Sequence, residues 1–212
     1  MLVCPMKPIG LLAIIFFLSL SAHGQLTHDT KFVGVVDFEG FSDHTFIADH
    51  YIPGGGIDII YHGKGNWSRG LILTGNGSQN FANKFSLPIG QADLGIYDIG
   101  WVDQYDFFIT KKFGLNIFLI NGCYIAKLHD DSDLISQQTR YGLRNYPKLV
   151  GTNVFFSAEP GLALQWRCLF DGFYLTAKIK YKLLVGGTEF GEAGEFSGYD
   201  IAGGFIFRFI NK

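Results

Sequence analysis

Charge, cysteine and long apolar runs are all scarce in this sequence of 212 residues, and each scarcity excludes a class of protein. Charged residues make up 17% of the chain, against about 25% in an ordinary soluble domain. The formal net charge of −2 gives no electrostatic footprint for nucleic acid or another polyanion. Only three cysteines occur, too few for a small domain stapled by a disulfide framework. After Leu20 no apolar run approaches the roughly 20 residues that a membrane-spanning helix needs. Any crossing of a bilayer by the rest of the chain must therefore be made with strands.

What is present first is a leader. Lys7 supplies a short basic segment, Ile9 to Leu20 is apolar, and Ala22-His23-Gly24 ends the stretch with small residues. This pattern predicts a secretory signal peptide over residues 1–24, cleaved before Gln25. Its apolar part is too short for a membrane anchor. Cys4 precedes that part and so cannot be the lipid-accepting cysteine of a lipoprotein. Residues 25–212 then amount to one domain, rich in Phe (21), Tyr (10) and Gly (28). An exported chain of that composition points to a membrane β protein.

Alternation of apolar and polar residues predicts strands at 31–40, 54–62, 67–74, 94–108, 113–128, 153–168, 173–185 and 198–210. The seventh is the most regular: Phe173, Leu175, Ala177, Ile179, Tyr181, Leu183 and Val185 share one face, with Tyr174, Thr176, Lys178, Lys180 and Lys182 on the other. The fourth is the least regular. Asp98 and Asp103 fall on opposite faces, which a β-bulge between them would reconcile. The connections, at 41–53, 63–66, 75–93, 109–112, 129–152, 169–172 and 186–197, alternate long and short. Short turns on one side and long loops on the other are the habit of outer-membrane barrels, whose short turns are periplasmic. Eight strands with both termini inside place the long connections outside.

Periodicity does not say which face is wet. A soluble up-and-down barrel of the lipocalin kind also alternates, with apolar residues inside. Here the polar face of the eighth strand includes Ala202, Gly204 and Ile206, a poor solvent surface but a good lining for a narrow interior. Phe205, Phe207 and Phe209 then face lipid. With its leader and the ending Gly204-Phe205-Ile206-Phe207-Arg208-Phe209, the chain resembles the small β-barrel outer-membrane proteins, particularly those of Bacteroidetes-type bacteria. That resemblance implies an all-β fold, an eight-stranded antiparallel up-and-down transmembrane barrel. Its partners would be the outer-membrane bilayer and the assembly machinery, with Gly204, Phe207 and Phe209 as an assembly signal. It departs from the pattern at Ala202, where a polar residue is usual, and in the three residues after Phe209. It implies no particular activity, because the fold hosts anchors, adhesins and lipid-modifying enzymes alike.

The most coherent constellation is inward-facing charge: Asp37, Glu39, Asp58 and Glu159 with Arg167, Lys178, Lys180, Lys182 and Arg208. In so narrow a lumen these charges must pair, and a salt-bridged plug is expected rather than an ion path. Other clusters are weaker. Asp43, His44, Asp49 and His50, and again His129, Asp130, Asp131 and Asp133, offer metal-ligating types in loops without an established ligand spacing. His62 and Ser68 flank the first tight turn, where a hydrolase would need a third, orienting carboxylate. Their periplasmic side is wrong for chemistry on surface lipid. Cys123 and Cys168 are expected to remain apart, one well up its strand and the other at the foot of the next. No cofactor, metal or nucleic-acid partner is expected, and the function expected is a non-enzymatic membrane barrel that presents its outer loops. The alternatives are a lipid-modifying enzyme on the same fold and a soluble exported barrel binding an apolar ligand.

Overall fold

A computed structural model describes residues 35–47, 50–63, 65–81, 92–109, 112–140, 142–168, 170–187 and 189–210. The leader, the cleavage before Gln25, the start of the first predicted strand (31–34) and Asp49 lie outside the described residues. Eight strands follow one another: β1 (Val35–Ile47), β2 (His50–His62), β3 (Trp67–Phe81), β4 (Ala92–Ile109), β5 (Phe113–Thr139), β6 (Gly142–Arg167), β7 (Phe173–Gly186) and β8 (Gly198–Ile210). Each pairs antiparallel with the next, and β8 returns to β1 in a ladder from Val35↔Ile210 to Thr45↔Asp200. The result is a closed, up-and-down barrel without a free edge along its wall.

The strand count and order agree with the sequence, but the long connections do not. Much of 41–53 is strand, since β1 runs on to Ile47 and β2 begins at His50. Gly54, Gly55 and Gly56, at the start of the second predicted strand, pair with Asp43, Ser42 and Phe41 in mid-ladder, and Pro53 pairs with His44. Glycine there answers to space: a Cβ at Gly56 would lie 2.6 Å from the Phe41 ring and 2.5 Å from the Leu73 carbonyl oxygen. The largest correction concerns 129–152. These residues form the far ends of β5 and β6, which pair as far as Thr139↔Gly142. Register shifts at Leu128/His129 and between Asp130 and Leu134 displace the pleat, which erases the period-2 signal in this stretch. Residues 75–81 likewise continue β3 and 92–93 open β4, so among the described residues 186–197 alone keeps the character of a long connection. It contains a one-turn helix α1 (Ala193–Phe196), closed by reciprocal hydrogen bonds between Glu192 and Glu195.

In β4 the expected bulge between Asp98 and Asp103 is absent, and the register shift falls between Asp106 and Phe108. Asp98 points inward and is buried, whereas Asp103 faces outward and meets Arg69 across the strand pair, Nε to Oδ1 at 3.1 Å. The two aspartates do lie on opposite faces, Asp98 turned into the lumen and Asp103 paired with Arg69 on the outer one.

Alternation continues along every wall, with the polarity of a soluble protein reversed. Leu71, Leu73, Ile99, Ile117, Leu164, Ile179 and Ile201 are all exposed on the outer surface. Aromatic pairs mark its two ends. At the end of the short turns are Trp67–Tyr105 (5.1 Å between ring centroids), Phe113–Trp166 (6.3 Å) and Phe173–Phe207 (5.1 Å). At the other end are Phe46–Tyr51 (5.8 Å) and Tyr181–Tyr199 (4.8 Å). Inside, an apolar layer of Phe41, Ile60, Ile72, Val102, Phe118 and Ile120 fills the barrel's waist. A second layer closes the mouth opposite the short turns, where Tyr124, Phe155, Phe190 and Phe196 pack with Ile47, Ile52 and Leu94. The loop residue Phe190 and the helix residue Phe196 thus act as a stopper. The buried polar groups occupy the space between and below these layers.

Candidate functional site: the charged lumen

The inward charges lie in three tiers. Nearest the short turns, Arg208 grips Asp37 with two hydrogen bonds, Nε to Oδ1 at 2.8 Å and Nη2 to Oδ2 at 2.7 Å. The guanidinium also reaches Gln165 and stacks over the Tyr174 ring at 4.5 Å. In the middle tier Lys178 bridges Glu39 and Asp58, each at 2.7 Å, and lies over the Phe41 ring at 4.9 Å. In the upper tier Lys180 pairs with Glu159 at 2.7 Å and Asp200 at 3.4 Å, while Lys182 meets Asp200 at 2.9 Å. Thr45 donates to the same carboxylate, and Asn76 donates to Asp43. Lys182 sits over the Tyr124 ring at 4.5 Å, beneath the apolar stopper.

This arrangement follows from register. Strand β7 aims Lys178, Lys180 and Lys182 inward at alternate positions, so each rises one step higher in the lumen. Closure of β8 onto β1 sets Arg208 directly opposite Asp37. The structure therefore brings together Asp37, Glu39, Asp58, Glu159, Lys178, Lys180, Lys182 and Arg208, in separate tiers. Arg167 is the exception. It lies at the rim and pairs with the exposed Asp171 of the adjacent turn at 2.9 Å, because it is the last residue of β6.

Four acids of the lumen lie outside the constellation expected from the sequence, although Asp200 stands on the polar face of the eighth predicted strand. Asp43 falls in the expected loop 41–53, although it continues the inward parity of Asp37 and Glu39. Asp98, Asp106 and Asp200 lie on inward faces of β4 and β8, and strict alternation could have supplied them. Asp98 is 3% exposed, and neither carboxylate oxygen has a hydrogen-bond partner among the described residues.

His62 and Ser68 come together more closely than expected. The Ser68 hydroxyl is 2.6 Å from His62 Nδ1, and His62 Nε2 is 2.7 Å from Asp37 Oδ2. A serine, a histidine and an aspartate are thus in line, but Asp106 also lies 3.4 Å from both His62 Nδ1 and the Ser68 hydroxyl. Each imidazole nitrogen therefore faces a carboxylate. Ser68 is only 2% exposed, sealed in the wall. A nucleophile needs both an accepting base and a path for substrate, whereas these groups cross-brace β1, β2, β3 and β4.

The remaining candidates do not converge. Asp43 points into the lumen while His44 points outward, 2.5 Å from the Tyr51 hydroxyl and 3.2 Å from that of Ser42. Asp130 binds Ser132 and Asp133 binds Lys148, and among the described residues no group of three or more His, Cys, Asp or Glu is placed to hold a metal. Cys123 and Cys168 are both free thiols. In β8, Gly204 packs inward so tightly that a Cβ would lie 2.2 Å from the Gly40 carbonyl oxygen. Phe207 and Phe209 lie on the outer wall, against Phe173 (5.1 Å) and Phe38 (5.7 Å).

No protein-family model matches the sequence, and no curated protein matches it. Solved structures do. The Neisserial surface protein A aligns with a TM-score of 0.54 at 11% identity, covering 86% of this chain and 100% of its own. A major outer-membrane protein of Thermus thermophilus aligns at 0.50 and 9% identity, covering 82% and 99%. The attachment invasion locus protein Ail of Yersinia pestis aligns at 0.49 and 12%, covering 83% and 97%. At such identities the likeness is one of fold: the chain has the eight-stranded barrel architecture of small bacterial outer-membrane proteins.

Proposed function

We propose that this protein is an integral barrel of a bacterial outer membrane, without catalytic activity, which holds a rigid extracellular structure at the cell surface. The observation that carries this reading is the reversal of polarity: Ile, Leu and aromatic residues clothe the outer wall between two aromatic girdles, while buried Lys, Asp and Glu fill the lumen and the Arg69–Asp103 pair neutralises itself on the outer face. Only a hydrocarbon environment makes that distribution favourable. The interior is opposite in character to the apolar pocket of a soluble ligand-binding barrel.

On this reading the leader is removed before Gln25 and the last strand, with Gly204, Phe207 and Phe209, is recognised by the outer-membrane assembly machinery. The same features support the Bacteroidetes-type resemblance. The test is fractionation of cells followed by gel electrophoresis of the outer-membrane material with and without boiling. A folded membrane barrel is recovered with the outer membrane and changes mobility on heating. Native protein in the soluble fraction, without detergent, overturns the proposal.

A further inference from the structure

The membrane-anchored reading leaves one element without a role: the paired ends of β5 and β6 that extend past the barrel. Strand β4 pairs with β5 only as far as Ala92↔Asp130, and β6 meets β7 only from Phe155↔Gly186 downward. Above these levels, among the described residues, β5 and β6 pair with one another alone, over Leu134↔Pro147 to Thr139↔Gly142. From Lys148 to Gly142 the ribbon reaches about 20 Å, at roughly 3.3 Å per residue.

Its charges are segregated along its length. Arg140 and Arg144 stand at the tip, and neither forms an ion pair among the described residues. No acid lies between Leu134 and Leu149. At the foot, Lys148 and Asp133 neutralise each other at 2.7 Å. The rim around that foot is acidic, with Asp93, Asp130, Asp131, Glu189, Glu192 and Glu195 at the same end of the barrel. The Ser132 hydroxyl holds Asp130 below its ordinary value, so it remains an anion. Partial burial and the adjacent Asp93 raise Asp131, as expected where acids crowd together.

Apolar residues follow the same end-to-end plan. Leu143 at the tip and Leu149 at the foot share a face of the ribbon and are 70% and 49% exposed. A ribbon that is basic at its tip and acidic at its foot, with a leucine at each, is complementary to an antiparallel copy of itself. A two-fold axis lying parallel to the membrane sets each tip against the other copy's rim. That axis relates molecules on facing membranes, not neighbours in one bilayer. We propose that the ribbon is a homophilic contact, joining two copies of this chain on apposed membranes tip to rim.

The proposal rests on the barrel being membrane-embedded, and its test reads the two separately. The full chain is reconstituted in phosphatidylcholine vesicles, and the change of gel mobility on boiling reports that the barrel has folded. Vesicle clustering is then followed by light scattering. Wild-type vesicles are expected to cluster at low ionic strength and to disperse as salt approaches ~0.5 M, where screening extends only a few ångströms. R140E/R144E gives an acidic tip and D93K/D130K/D131K/E189K, which leaves four lysines against two acids, a basic rim. Each variant alone is expected to stay dispersed, and a mixture of the two to cluster again, because each tip now faces an opposite rim. Folded wild-type vesicles that stay dispersed overturn the proposal. So does a mixture of folded variants that fails to cluster, or clustering that needs heparin or another added polyanion.

Discussion

Lys180 shows how single residues hold this molecule together. Its ammonium lies between Glu159 and Asp200, and it is 5% exposed. Removing one partner of a buried pair leaves a charge without compensation, a loss of about 3–5 kcal/mol, whereas replacing both with apolar groups is often nearly neutral. Lys180→Met is therefore expected to destabilise the barrel by about that amount in urea unfolding from lipid vesicles, and Lys180→Met/Glu159→Leu to recover most of it. Equal losses for the single and double variants would show that the pair is not the source. Gly204 yields a second residue-scale prediction. Its contact with the Gly40 carbonyl belongs to the seam where the barrel closes. Gly204→Ala is expected to lower refolding yield into vesicles with no assembly machinery present, at a cost of about 1–3 kcal/mol. Phe209→Leu keeps an apolar outer wall and is expected to refold normally in vitro while inserting less in cells. Normal refolding of Gly204→Ala would leave that glycine only a recognition role.

At the scale of elements, the sequence displayed what obeys a period of two and concealed what breaks it. Strands β7 and β8 were legible almost to the residue, since their inward and outward faces differ at nearly every step. The upper half of β5 and β6 was not, because the displaced register at Leu128/His129 and the three residues inserted between Asp130 and Leu134 interrupt the alternation. Lysines of the lumen were found because they stand in a regular row. Asp43 falls in the expected loop 41–53 because Phe41 is an apolar residue on the inward face and Ser42 and His44 are polar ones on the outward face, which breaks the alternation of β1 there. The ribbon's independence gives a prediction of its own. Its pairs lie beyond the ladders that close the barrel, so replacing 131–149 with a short turn is expected to leave the heat-dependent gel shift and the midpoint of urea unfolding unchanged. A barrel that no longer folds would mean that the ribbon nucleates it.

As a whole molecule, the barrel is a filled cylinder. The waist is packed by Phe41, Ile72, Phe118 and Ile120, and Phe155, Phe190 and Phe196 stop the outer mouth. An eight-stranded wall leaves room for little beyond side chains. The expected result in a planar bilayer is an absence of steady unitary conductance at either polarity. Stable single-channel steps would show that the salt-bridged tiers open a path.

The placement of the lumenal charges along the chain also bears on how the strands assemble. Among the described residues the inward acids are supplied early, Asp200 of β8 excepted: Asp37, Glu39, Asp43, Asp58, Asp98, Asp106 and Glu159 all belong to β1 through β6. Apart from Arg167 at the rim, every inward lysine and arginine arrives on β7 or β8. A ring that shut after six strands would trap carboxylates with only His62 to offset them. The chain in effect counts its own strands, since the electrostatic cost of closure falls only when the last hairpin is in place.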